Sequence, residues 1–367
     1  MPAMKDSDFL DLLVTTLANF EKPTFAQIAT TLNKYPAIRR MLKKNRVKKD
    51  SGHSIQWRVM TGTSGNARMT GLFDTDALVR KNVWTYATIP WRHAETGALY
   101  ERRESLMNKG AAKLVDQVKE LDFQAMIDMA YLLEQQVWQA ASVPASDEKS
   151  MFGIKCWITK GTGTPTNTAN GEGDFNSGLP PGGATYVGGI DPTVPKYSGW
   201  QNARAAYTNV TDDDFIKKLE WCYDHTGFES PVDKEDAIHG RGEQFVMYTC
   251  YPVIQDLRRL ARQQNDQLQG ELAMFHDDAT FKRTRFQWVP SLDGTIDPQD
   301  AIDMPLYGID HNQFKFVVLD GDYMRRSEPR IKDGSHNTYE WFIDLTANLR
   351  LFQRRSCFLL YNAAGAA

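Results

Sequence analysis

The chain has 367 residues, 41% hydrophobic and 24% charged, with a formal net charge of −3. That length allows two or three cores of ordinary globular composition, and the near balance of charge excludes a dedicated nucleic-acid binder, which is normally basic. No apolar run approaches the roughly twenty residues that a membrane span needs. The stretch Met1 to Asp11 is polar and acidic, so no signal peptide is expected. Cys156, Cys222, Cys250 and Cys357 lie far apart and form no CxxC pair. That pattern fits a reducing cytoplasm rather than a disulfide framework.

The first elements are short. Phe9, Leu12, Leu13, Leu17 and Phe20 share a face over residues 6–20, Pro23 begins a second helix with Phe25, Ile28 and Leu32, and Pro36 opens a third with Ile38, Met41 and Leu42. Helices so short and so divided make no core of their own and read as an arm that packs on something else. The third runs into Arg39, Arg40, Lys43, Lys44, Arg46, Lys48 and Lys49. This cluster is either a contact with DNA or an acidic neighbour, or a solvated face. A cluster of its size gives only weak, salt-sensitive phosphate binding.

At Ser54 the period changes to two. Ile55, Trp57 and Val59 alternate with Gln56 and Arg58, a tip follows at Thr61 to Asn66, and a second strand places Val83, Thr85, Ala87, Ile89 and Trp91 opposite Trp84, Tyr86 and Thr88. A two-stranded hairpin is marginal alone. Its aromatics invite pairing with another chain, with Trp57, Trp84, Tyr86 and Trp91 as anchors. The competing expectation is that the hairpin folds back on its own subunit.

Glu104 to Ala141 then predicts one long helix. Leu114, Val118, Leu121, Ala125, Met129, Leu132 and Val137 form an apolar stripe, with no proline until Pro144. Such a helix is roughly 50 Å long and must lie along something extended or brace distant parts of the chain. The competing expectation is one arm of a coiled coil, against which stand the few strict heptads and Gln124 and Gln135 in the run.

Further on, Met151 to Thr159 predicts a buried strand, and Gly161 to Gly189 a long loop. Thr211 with three aspartates caps a helix whose stripe is Phe215, Leu219 and Cys222 and whose stop is Gly227. Gln244 to Cys250 predicts a strand, leading through Pro252 into a helix with Val253, Leu257, Leu260 and Ala261 inward. Phe281–Val289 and Phe314–Leu319 predict strands, and Thr338 to Tyr361 one long terminal strand.

Chemistry is hard to find in this sequence. The seven histidines are scattered, with no HExxH, and His225, His239, His276 and His311 read as surface or satisfied groups. Gly161-Thr162-Gly163 lacks the third glycine of a dinucleotide fingerprint, and no Gly-x-Ser-x-Gly elbow occurs. Asp293-Gly294-Thr295 is preceded by Ser291 where a phosphatase needs its nucleophilic aspartate. Asp297, Asp300 and Asp303 lack EF-hand spacing, and a capped turn explains them equally. No catalytic residue, cofactor or metal is expected.

Gly188-Gly189-Ile190-Asp191, then Tyr197, Trp200 and Asn202, followed by the capped helix, resemble a segment of tailed-bacteriophage major capsid proteins of the Hong Kong 97-type fold. Gln201 stands where arginine is frequent. Leu306 to Asp310 and the ending with Asn348, Arg354 and Arg355 are similar too, and the order of elements matches from about Ser51 to Tyr361. The resemblance implies an α+β fold with an N-terminal arm (1–50) and an extended loop (51–103). A peripheral domain with the spine helix and a strand follows (104–160), then a Gly-rich loop region (161–210) and an α/β axial domain (211–322). The chain then returns to the peripheral domain (323–367). It implies a non-enzymatic subunit assembling with itself into pentamers, hexamers and an icosahedral shell around double-stranded DNA. Scaffolding, portal and decoration proteins are the expected partners, and the virion, after assembly in the host cytoplasm, is the expected location. No long acidic or coiled-coil segment precedes the arm, so a scaffold is expected to be a separate protein or one already cleaved. Alternatives are an encapsulin-like compartment shell, another virion component, or an enzyme.

Overall fold

A computed structural model describes residues 36–42, 47–73, 75, 78–107, 111–161, 172–176, 188–227, 244–265, 280–282 and 284–363. The first two arm helices, Lys43, Lys44, Arg46 and most of the Gly-rich loop lie outside the described residues.

The longest strand, Thr338–Leu351, organises a six-stranded sheet. Its alternation buries Tyr339, Trp341, Ile343 and Leu345 while the residues between them stay partly exposed. Along one edge it pairs antiparallel with Arg92–Glu101, from Thr338 opposite Glu101 to Ala347 opposite Arg92. Along the other it pairs in turn with Arg330–Ile331, Arg325–Arg326 and Phe314–Leu319. Val47–Asp50 adds a parallel strand outside Phe314–Leu319.

The spine helix is Ala111–Trp138, 28 residues and so about 42 Å long. It is shorter than the expected Glu104–Ala141. Arg102–Met107 forms a separate short helix, and at the other end Val143–Ser146, with Pro144 in its first turn, makes its own helical turn. The first half of the spine packs on the six-stranded sheet, where Val118 joins Ala98, Tyr100, Tyr339 and Trp341. Its second half enters the main core through Met129, Leu133, Val137 and Trp138. Leu133 rather than Leu132 carries the stripe there, because Leu132 is only partly buried. The helix thus braces two separate clusters. The arm helix Pro36–Met41 lies on it, with Ala37, Ile38 and Met41 buried.

The main core surrounds a seven-stranded sheet. Phe358–Asn362 runs parallel to Asn202–Tyr207 and antiparallel to Leu306–Asp310. Outward from the former lies Asp174–Asn176. Outward from the latter lie Phe245–Thr249, Thr284–Trp288 and Thr280–Phe281. Lys217–Thr226 and Tyr251–Asn265 are its flanking helices. Phe215, Leu219, Cys222, Val253 and Leu257 point inward as expected, whereas Ala261 is exposed.

Four expectations are corrected here. Thr338 to Tyr361 is two strands in two sheets, because a tight turn at Arg354–Ser356 redirects the chain. The ending therefore closes both sheets instead of returning only to the spine. Met151 to Thr159 is no strand but a buried segment with one helical turn, Ile154–Trp157. A short apolar run carries no period to separate the two, and Gly153 sits so close that a Cβ would lie 2.6 Å from the Gln136 and Val137 carbonyl oxygens. Phe281 to Val289 is split at Lys282, which has φ 44°. The Thr211 side chain makes no capping bond; Asp214 instead accepts from the Thr208 and Asn209 amides at 2.7 and 3.0 Å, and the first turn, Asp212–Ile216, is wound as a π-helix. The strands Val47–Asp50, Arg92–Glu101 and Asn202–Tyr207 lacked a sequence signal strong enough to expect.

Candidate assembly surfaces

The hairpin pairs Ser54–Met60 with Trp84–Pro90 in a register that sets Trp57 opposite Ala87. Period two sorts its faces. Ile55, Trp57, Ala87 and Ile89 are buried against the subunit, whereas Trp84 is 53% exposed and Tyr86 55%. Trp57 packs on Trp157 with ring centroids 6.0 Å apart, under the Arg350 guanidinium at 5.4 Å. The competing expectation holds for this face: Trp57 is a core residue, not an exposed anchor. Trp91 is half-buried, its indole N–H donating to Gly52 O at 2.9 Å. Of the four expected anchors, only Trp84 and Tyr86 face outward.

Beyond Met60 the ribbon continues away from this core. Asn66 and Val79 exchange hydrogen bonds across it, Nδ2 to O at 3.0 Å and N to Oδ1 at 3.2 Å. Thr61 N donates to Val83 O at 2.8 Å, and Arg68 donates to Thr75 O. At the tip Met69, Leu72 and Phe73 are more than nine-tenths exposed, and Leu78 and Val79 more than half. Large apolar side chains grouped without cover from their own chain mark a contact surface. The sequence held only a faint signal for them, apolar residues with no period inside a Gly- and Thr-rich tip.

The base of the hairpin is clamped by residues far away in sequence. Thr88 N donates to Gly188 O at 2.8 Å. Gly188 has φ +68°, a conformation that glycine adopts without strain. Asn348 Nδ2 donates to Pro90 O at 2.8 Å, and its Oδ1 accepts from Phe152 N at 3.0 Å. Ile190, Trp200 and Asn202 are buried beside this clamp; Tyr197 is partly buried and Gly189 exposed. Asp191 accepts from Thr193 N at 2.9 Å and closes the next turn. The structure thus gathers most of the motif, but as an internal junction. Arg354 is its centre: Nε donates to Trp157 O at 2.8 Å, Nη1 to Trp200 O at 3.1 Å and Nη2 to Asn202 Oδ1 at 3.1 Å. Burial lowers its guanidinium to about 10, so it stays charged at neutral pH.

The basic cluster does not form one patch in the described residues. Arg39 is exposed and Arg40 partly buried. Lys48 pairs with Asp50 at 3.4 Å and Lys49 with Asp320 at 3.6 Å, which lowers their attraction for phosphate. Asp297 and Asp300 share Lys155, and Asp303 holds Lys160 at 2.9 Å; their cations are lysines. His311 is buried against the Tyr248 hydroxyl at 2.7 Å, and His225 stacks on Trp221. His239 and His276 lie outside the described residues. All four cysteines are buried and unpaired by disulfide, and burial pushes the Cys156 thiol up to about 12. Among the described residues no group of three or more His, Cys, Asp or Glu is set to hold a metal ion, and no helix is long and apolar enough to cross a membrane.

No protein-family model and no curated protein matches the chain. Solved structures do. The cyanophage A-1(L) capsid asymmetric unit aligns over 93% of this chain and 96% of its own, with TM-score 0.52 and 13% identity. The capsid of a native GTA particle aligns over 95% and 96%, with TM-score 0.51 and 10% identity. The cyanophage Pam1 capsid asymmetric unit aligns over 95% and 98%, with TM-score 0.51 and 11% identity.

This chain has a phage capsid fold. The α+β architecture expected from the sequence therefore holds across nearly its whole length. Among the described residues the ribbon tip carries the most exposed large apolar side chains, while the motif at Gly188 to Asn202 holds that ribbon's base.

Proposed function

We propose that the chain is a major capsid protein whose copies assemble into the pentamers and hexamers of an icosahedral shell enclosing double-stranded DNA. The observation that carries this is the hairpin ribbon, rigidly based on the core and ending in exposed Met69, Leu72 and Phe73. A subunit of this kind turns over no substrate. It makes many modest contacts repeated by symmetry, which close rings and join them. Individually weak interfaces let misplaced subunits dissociate during growth. The likeness to capsid subunits along almost the entire chain supports the same reading.

The ribbon and the outward Trp84 and Tyr86 serve as contacts to a neighbouring copy. Scaffolding, portal and decoration proteins are the further partners, assembly takes place in the host cytoplasm, and the finished location is the virion. The near-neutral charge suits a wall that touches packaged DNA only non-specifically, with Arg39 among its few contacts. Deleting residues 60–82 tests the proposal. The expected product is a folded subunit, by circular dichroism, that sediments only as small species. Normal particles from that deletion would sink it.

A further inference from the structure

A cluster of charges is enclosed where the segment after the spine helix meets the short helix Gln299–Asp303. Lys155 Nζ lies 2.6 Å from Asp300 Oδ2 and 2.8 Å from Asp297 Oδ2. The Lys155 and Asp300 side chains are 6% and 5% exposed, and Asp297 is 18% exposed at the mouth. Gly153 jams the lysine's helical turn against the spine, and the Asp300 amide donates to Asp297 O at 3.0 Å. Both sides of the contact are thus held by backbone. The neighbouring carboxylate, Asp303, is already engaged by Lys160. None of these groups takes part in the proposed assembly surfaces.

We propose that Lys155 and Asp300 condense into an intramolecular isopeptide bond, with Asp297 as the proton carrier. Two carboxylates around one ammonium leave excess negative charge in a space that disfavours any charge. Burial pushes the Asp300 carboxyl up against the pull of Lys155, which favours its taking a proton and becoming electrophilic. An ion pair that passes its proton across becomes a neutral amine beside a neutral acid. The carbon to be attacked is one bond from the oxygen that the amine already touches. Holding two reactants in contact in this way replaces a bimolecular encounter with a unimolecular step.

The atoms balance without any co-reactant. The Lys155 ammonium gives one proton to the Asp300 carboxylate, and Nζ then attacks Cγ, forming the N–C bond. The nitrogen's second proton passes to the Asp297 carboxylate. As the tetrahedral centre collapses, the Asp300 hydroxyl takes that proton and leaves as water. Asp297 is again ionised, and Lys155 and Asp300 are joined by an uncharged amide. The Tyr307 phenol is held well above its ordinary value, first by burial and then by the charge of Asp300. It stays protonated beside the reacting groups. The bond would tie the segment after the spine helix to the short helix Gln299–Asp303 and close a long loop, which constrains the unfolded chain.

Intact-mass measurement of the full chain under denaturing conditions, followed by peptide mapping, tests this. The expected result is a chain lighter than its sequence by one water, with the Lys155 peptide joined to the Asp300 peptide. Lys155→Arg and Asp300→Ala are expected at full mass, and Asp297→Asn at full mass or only slowly converted. A wild-type chain at full mass with both peptides recovered in linear form would overturn the proposal. So would a lighter mass that persists in Lys155→Arg. The wild-type peptide map decides the matter by itself, so a variant that fails to fold leaves the test intact.

Discussion

Arg354 and Asn202, 152 positions apart, meet inside the core, where Arg354 Nη2 donates to Asn202 Oδ1 at 3.1 Å. The same oxygen accepts from Thr159 N at 3.1 Å. One guanidinium thus joins the segment after the spine helix, the start of the strand Asn202–Tyr207, and the turn at which the chain passes from one sheet to the other.

Arg354→Ala should be among the most damaging single changes. It strands the carbonyls of Trp157 and Trp200 in a fully buried site, and a buried acceptor left unsatisfied costs about 1–3 kcal/mol. Arg354→Lys should recover little, because a point charge cannot reproduce the fork. Denaturant unfolding of the isolated subunit is the measurement. A midpoint unchanged in Arg354→Ala would contradict the role of the junction.

The two faces of the hairpin should separate cleanly under mutation. Trp57→Ala empties a core site, and truncating a buried aromatic costs about 3–5 kcal/mol. Trp84→Ala should alter subunit stability by no more than about 0.5 kcal/mol yet reduce particle yield. Thermal melts paired with sedimentation would show the contrast, and equal effects of the two changes on stability would refute it.

At the tip, Leu72→Ser with Phe73→Ser should leave the melting temperature of the free subunit unchanged, because neither side chain is covered by its own chain. Assembly should nonetheless fail or shift to much higher protein concentration. Light scattering against concentration reads this directly; assembly at the wild-type threshold would show that the tip is not a contact.

Glu134 gives a pH dependence of calculable sign. It accepts from Ile38 N at 2.8 Å, Ala37 N at 3.4 Å and Trp138 Nε1 at 2.8 Å, fastening the arm helix to the spine. Burial pushes its carboxyl up to about 7 from 4.5, and the three donors offset only part of that. The folded state therefore binds the extra proton between those values. The cost of holding the charged form is absent below about 4.5, grows as pH rises, and is complete above about 7. It amounts to at most about 3 kcal/mol. Asp300 shifts in the same direction. Glu134→Gln should thus flatten, without abolishing, the fall in stability between pH 4.5 and 7. Melting curves across that window check it, and an unchanged slope would remove Glu134 from the account.

Gly153→Ala should disrupt the junction from another side. Its new Cβ would lie 2.6 Å from two carbonyl oxygens of the spine helix, and helix backbone cannot yield as a flexible side chain can. A loss of about 1–3 kcal/mol is expected for forced overpacking, measured by denaturant unfolding. Wild-type stability would show that the segment moves aside freely.

Local pattern made several elements legible. The hairpin, the long helix, the stripe of Phe215, Leu219 and Cys222, and the strand before Tyr251 all declare themselves through period two or period 3.6, which depend only on where neighbouring side chains point. The short motifs around Gly188 and Arg354 were visible as well, and with their order they pointed to the capsid fold. What stayed hidden were relations between segments. A buried run such as Met151 to Thr159 has no period, so only its neighbours decide whether it pairs or turns. The break at Arg354–Ser356 depends on carbonyls supplied from residues 157 and 200. The same distance in sequence hid which hairpin face is covered: Trp57 and Trp84 look alike until Trp157 and Gly188 are set beside one of them. Sequence by itself settled the elements that carry a clear period, since that period is set between near neighbours in the chain. Tertiary structure alone decided which aromatic is core and which is surface, because burial is a property of what lies across the gap.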